Sequence, residues 1–167
     1  MAVFHYLHLR AFAHETEDPE RVRQALRHAA QADLPLEETD VEGGHKNRVR
    51  ILEGEVRSAP AAKRMFERLA QDDAEGFERL RTEATRRTDE NLNFHFRLDK
   101  QEAYLGRLRL GETDDAIAVR AKLRSFESRR SGAQSAQAAA SLADFLEKAA
   151  RFKSSRILGK EEDQPWT

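Results

Sequence analysis

Leu92-Asn93-Phe94-His95-Phe96-Arg97-Leu98-Asp99-Lys100-Gln101-Glu102-Ala103-Tyr104-Leu105-Gly106 is the stretch on which the reading of the fold turns. Leu92, Phe94, Phe96 and Leu98 fall on one side of an extended backbone and Asn93, His95 and Arg97 on the other, the two-residue period of a strand buried on one face. Asp99, Lys100 and Gln101 then crowd the strand's end. Charged and amide groups placed directly after a rigid strand either serve a site or cap the next turn, and local chemistry is compatible with both.

The rest of the chain supplies partners for that strand. Val3 to Phe12 reads as a central strand with apolar groups on both faces, Phe4, Tyr6 and Phe12 against Leu7, Leu9 and Ala11. Asp18-Pro19-Glu20 starts a helix, with Asp18 as N-cap, and Val22, Ala25, Leu26, Ala29 and Ala30 form its apolar stripe. Leu36 to Val41 and Arg48 to Arg57 form a hairpin around a glycine-led turn, with a bulge expected near Gly54. Ser58 and Pro60 open a second helix containing Ala62, Met65, Phe66 and Leu69, and Asp73 opens a shorter one that Gly76 weakens. Arg107 to Leu110 is a short alternating segment. Ile117, Val119, Ala121 and Leu123 then alternate with Arg120, Lys122 and Arg124, a strand whose outward face is wholly basic. Ser135 to Phe152 is a closing helix.

At 167 residues the chain suits a single domain, expected over 1–152, with 153–167 as a flexible or docking tail that carries Trp166. The 29 Lys and Arg residues nearly cancel the 30 Asp and Glu, so no overall field draws the chain to a polyanion and any such site must be a local patch. With no cysteine, disulfides, thiolate zinc sites and a cysteine nucleophile are excluded. No run approaches the roughly 20 apolar residues of a membrane span, and the start lacks a basic-then-apolar leader, so a cytoplasmic protein without a membrane partner is expected.

Two basic elements are candidate sites. The hairpin tip Gly43-Gly44-His45-Lys46-Asn47-Arg48 offers cations and backbone N–H groups, although it lacks the Gly-Lys-Ser/Thr end before a helix that a P-loop requires, and on local sequence alone an ordinary polar turn is the favoured reading. The row Arg120, Lys122, Arg124 joins Arg97, with Arg129 and Arg130 further on, into one surface if the two strands pair. Phe94 and Phe96 belong to the core register, so phosphate and shape contacts should outweigh base reading. His5 and His8 point to opposite faces of a strand and cannot share an ion there, and no metal is expected. The carboxylates at Glu37, Glu38, Asp40, Glu42, Asp114 and Asp115 read as strand edge or turn, and no nucleophile, base and orienting group stand at catalytic spacing.

The segment Arg97 to Gly106 resembles the Arg-[Leu/Phe]-Asp-Lys-Gln-x-Ala-Tyr-x-Gly signature of an archaeal family described as predicted RNA-binding or exosome-subunit proteins. Tyr6 to Phe12, Glu42 to Asn47 and Ala116 to Phe126 are similar to that family's opening strand, hairpin turn and basic strand, in the same order. Lys46 stands where glycine is common in the family and Arg48 where proline is common. The resemblance implies an α+β domain, an antiparallel sheet with helices mainly on one face, similar to a large-subunit ribosomal protein that binds 5S ribosomal RNA. It implies no catalytic residues and no cofactor.

The expectation is therefore a non-catalytic RNA-binding protein of archaeal RNA processing or ribosome biology. Arg97, Arg120, Lys122, Arg124, Arg129 and Arg130 would meet phosphates, Lys46 and Arg48 would extend the footprint, and Lys100 and Gln101 would touch RNA or fix the strand end. The alternative is an accessory subunit that docks on the exosome or other RNA-processing proteins without contacting RNA.

Overall fold

Alternation of this kind produces a sheet with one buried face, and the computed structural model of the chain has that form. It describes the backbone of residues 3–124 and 131–160, and the side chains of 3–124 and 136–151. In chain order the elements are β1 (Phe4–His14), α1 (Pro19–Ala30), β2 (Glu37–Glu42), β3 (Arg48–Val56), α2 (Ala59–Asp72), α3 (Ala74–Thr82), β4 (Asn93–Asp99), α4 (Lys100–Tyr104), β5 (Ala116–Leu123) and α5 (Ser131–Lys160). The strands form one sheet in the order β2-β3-β1-β5-β4, antiparallel at every pairing. This is an α+β fold in a single small domain.

The helix starts follow from their caps. Asp18 accepts the Glu20 N–H at 3.0 Å ahead of Pro19, and Ser58 accepts the Ala61 N–H at 3.3 Å. Asp73 accepts the Gly76 N–H at 3.0 Å, and a Cβ on Gly76 would lie 2.1 Å from the Asp73 carboxylate. The residue that weakens the α3 pattern is thus the one that admits its cap. Leu7, Leu9 and Ala11 of β1, Phe94, Phe96 and Leu98 of β4, and Val119 and Ala121 of β5 point inward and are buried with Met65, Phe66 and Leu69 of α2. Phe66 stacks on Phe4 at 5.3 Å and meets Phe145 of α5 edge-on at 5.3 Å.

Three local expectations change. Gly54 makes no bulge, since the β1–β3 register runs unbroken from Leu7↔Val56 to His14↔Val49. A Cβ on Gly54 would come within 2.8 Å of the Pro35 carbonyl and 2.9 Å of Leu34, so glycine makes room for the chain crossing from α1 to β2. The irregular pairing lies instead between Phe4 and Tyr6, against β5. Leu92 precedes the strand, in a turn with φ 61°, and packs its side chain against the core. Arg107 to Leu110 forms an isolated bridge from Leu110 to Leu98, with the Asp99 N–H donating to the Arg109 carbonyl at 2.8 Å, and so covers part of the outer edge of β4. Trp166, Arg129 and Arg130 lie outside the described residues.

Candidate nucleic-acid interface

Because the helices cover one side of the sheet, alternate residues of the strands stand on an open face. On β1 these are Tyr6, His8, Arg10, Phe12 and His14; on β5 they are Ala118, Arg120 and Lys122; on β4 they are Asn93, His95 and Arg97. The pairing registers align them in rows: Tyr6, Lys122 and Asn93; His8, Arg120 and His95; Arg10, Ala118 and Arg97. With strands spaced by about 4.8 Å, Arg10 and Arg97 stand roughly 10 Å apart on either side of the Ala118 methyl, and Arg120 is one outward position along β5. Three arginine positions therefore border a small side chain.

Arg10 and Arg120 have no ion-pair partner among the described residues. The Arg10 guanidinium lies 5.1 Å from the Phe12 ring centre, and that of Arg57 lies 5.5 Å from Tyr6. Arg97 pairs with the exposed Asp114 at 3.0 Å, and Lys122 donates to the Asn91 carbonyl. On the other side of β1 the sign reverses, for Glu53 and Glu55 of β3 stand opposite Arg10 and His8. Glu53 also bonds the His8 ring at 3.1 Å. The basic half of the open face is thus β1, β5 and β4, and β3 is its acidic border.

Beyond the β4 edge lies a cleft of about 640 Å³ containing Arg79, Arg86, Arg87 and Arg97. Its cations are largely matched, Arg79 to Glu112 at 2.9 Å, and Arg86 and Arg87 to Glu83 at 2.9 and 2.7 Å. Nearby, burial would raise the Asp89 carboxyl, but hydrogen bonds from His95 at 2.8 Å, from the Asn93 backbone and side chain, and from the Asn91 N–H outweigh it. The balance holds the group down to about 2.

The other expected site residues disperse. The Lys100 side chain is 6% exposed, and its ammonium donates to the Phe12 carbonyl at 2.9 Å, to Glu17 at 2.8 Å and to Asp115 at 2.6 Å. It fastens the end of β4 to β1 and to the two loops beside it. Asp99 caps α4 by accepting the Glu102 N–H at 2.9 Å. Gln101 is exposed on α4, which packs against α1. Arg124 is half-buried and donates to the Phe4 carbonyl at 3.3 Å. Lys46 sits at the hairpin tip, and Arg48 shares its side of the sheet with Arg50, whose partners are Asp40 and Glu38. Glu38 also bonds Arg23 of α1, so this is the helix-covered side. Arg48 lies about 23 Å along β3 from the row of Arg120, by strand rise. The hairpin and the basic strand therefore do not share a face.

His14, Glu17 and Asp115 bring three potential metal ligands together. The Lys100 ammonium lies against both carboxylates and offsets part of their charge, so a cation bound there would meet a fixed positive charge.

Arg10, Tyr6 and Phe12 escaped the sequence reading because β1 carries apolar groups on both faces. A signal was present all the same: Leu7, Leu9, Ala11 and Ala13 are purely aliphatic, whereas every intervening position from Tyr6 to His14 carries a planar group.

A family model described as RNA binding matches residues 6–123. The chain is 32% identical over 128 residues to the RNA-binding protein PAB1135 of Pyrococcus abyssi, an alignment spanning 73% of this chain and 83% of that protein. It is 29% identical over 117 residues to an uncharacterized protein of Methanocaldococcus jannaschii, spanning 65% and 77% of the two chains. Among solved structures, a DUF54 protein from Methanothermobacter thermautotrophicus is similar with a TM-score of 0.71 and 28% identity, covering 86% of this chain and 98% of that one.

Proposed function

The chain belongs to the family described as RNA binding, and from that premise we propose that it binds RNA without catalysis, holding phosphates on the open face of β1, β5 and β4. The observation that carries this reading is the trio Arg10, Arg97 and Arg120 around Ala118. Guanidinium forks match phosphate oxygens, and the small floor leaves room for a phosphate between them. Lys122 extends the row along β5. Arg124 would join it on release from the Phe4 carbonyl. Lys46 and Arg48 would touch only an RNA long enough to pass the sheet's end, and Lys100 acts through the fold. The test is a titration of labelled RNA against wild type and an Arg120→Gln/Lys122→Gln variant; equal affinities would rule out this face.

A second reading has support of its own. Tyr104 at the end of α4 and Leu105 directly after it are 40% and 64% exposed, beside α1, a surface suited to a protein partner. Docking on the exosome, the ribosome or another RNA-processing assembly is compatible with RNA binding on the opposite face. Pull-down with and without nuclease separates them, because an association bridged by RNA is lost on digestion.

A further inference from the structure

We infer that the open face takes single-stranded RNA, with unpaired bases stacked along β1 and the phosphates over β5; this rests on the reading of that face as the RNA surface. Five successive outward positions of β1 carry planar side chains: the Tyr6 phenol, the His8 imidazole, the Arg10 guanidinium, the Phe12 ring and the His14 imidazole. Packing does not demand this, since the core is filled from the other side by the aliphatic residues of the same strand. Tyr6 and Phe12 are half-buried among their neighbours and keep part of each ring in solvent.

Spacing selects the ligand. Outward side chains repeat every 6.6–6.8 Å or so along a strand, about twice the 3.4 Å step of bases in a duplex. The Arg10 and Arg57 guanidinium groups already lie against Phe12 and Tyr6, so a base would stack onto these pairs, and it can do so only if the RNA is extended and its faces are free, whereas a duplex would present phosphates alone. Charge selects the orientation. Arg120 and Lys122 flank β1 on one side, and Glu53 and Glu55 flank it on the other, so the phosphodiester chain belongs over β5.

The experiment titrates the full chain with a labelled oligouridylate, an abasic ribose-phosphate oligomer of equal length and a duplex of equal length. Stacking predicts that the base-bearing single strand binds at least about tenfold tighter than the abasic one. Phe12→Leu and Tyr6→Leu, which keep an apolar contact, should each weaken the base-bearing strand severalfold and leave the abasic strand unchanged. Equal affinity for base-bearing and abasic strands, with Arg120→Gln weakening both, overturns the stacking inference and spares the surface. If Arg120→Gln/Lys122→Gln changes no affinity, the surface itself is wrong.

Discussion

Arg10 and Arg97 sit on strands either side of β5, each paired in register with Ala118, so that one small residue lies between the two arginine positions. Ala118 stands two residues before Arg120, and the third cation closes the group. Among −1 net charges overall, this local concentration is what gives a polyanion a reason to choose one face.

Arg10→Gln should weaken binding of every RNA sequence to a similar degree and lower the slope of log affinity against log salt by about one, as expected for a lost phosphate contact. Arg97→Gln should have the smaller effect, because Asp114 already competes for that guanidinium. Fluorescence anisotropy at several salt concentrations measures both.

Lys100→Met removes a buried ammonium that holds three acceptors. Glu17 and Asp115 keep some access to water, so the loss of stability should be about 2–3 kcal/mol, below that for a wholly buried pair. Urea unfolding reads this, and RNA affinity of the folded variant should match wild type. A stable variant with lost affinity would instead make Lys100 an RNA ligand.

Lys46→Gly should stabilise the hairpin by about 0.5–1 kcal/mol, because Lys46 has φ 61°, a left-handed conformation that glycine adopts freely. The measurement is the urea midpoint. RNA affinity should change little, as the hairpin tip is remote from Arg120.

Acid should destabilise the fold in part through Asp89. Its folded value of about 2 lies below the ordinary 3.8, so its ionised form favours the folded state above about pH 4, and this contribution is lost as pH falls toward 2. Glu38, Asp40, Glu78 and Glu83, each held low first of all by an arginine hydrogen bond, act in the same direction. Asp89→Asn should lower the melting temperature at neutral pH and flatten its decline between pH 4 and 2.

Features specified by neighbouring residues were legible in the chain. The alternation of Phe94, Phe96 and Leu98, the Asp18 and Ser58 caps and the basic row of β5 all follow from local periodicity and side-chain reach. Gly54 was misread because its reason is a contact with Leu34 and Pro35, which only the packed chain brings over the strand. Lys100 stood out as polar, but its role depends on Glu17 and Asp115, which the fold delivers from separate loops. Arg10 was missed for a related reason. Tyr6 and Phe12 look like core residues, and only the one-sided helix layer leaves them on the open face with Arg10.

The most direct measurement of the account is a map of NMR shift changes on adding a short single-stranded RNA. Open-face binding predicts that the largest changes fall on Arg10, Phe12, Arg97, Ala118 and Arg120. Changes centred on Tyr104 and Leu105 or on the hairpin tip, with β1 and β5 unmoved, would contradict it.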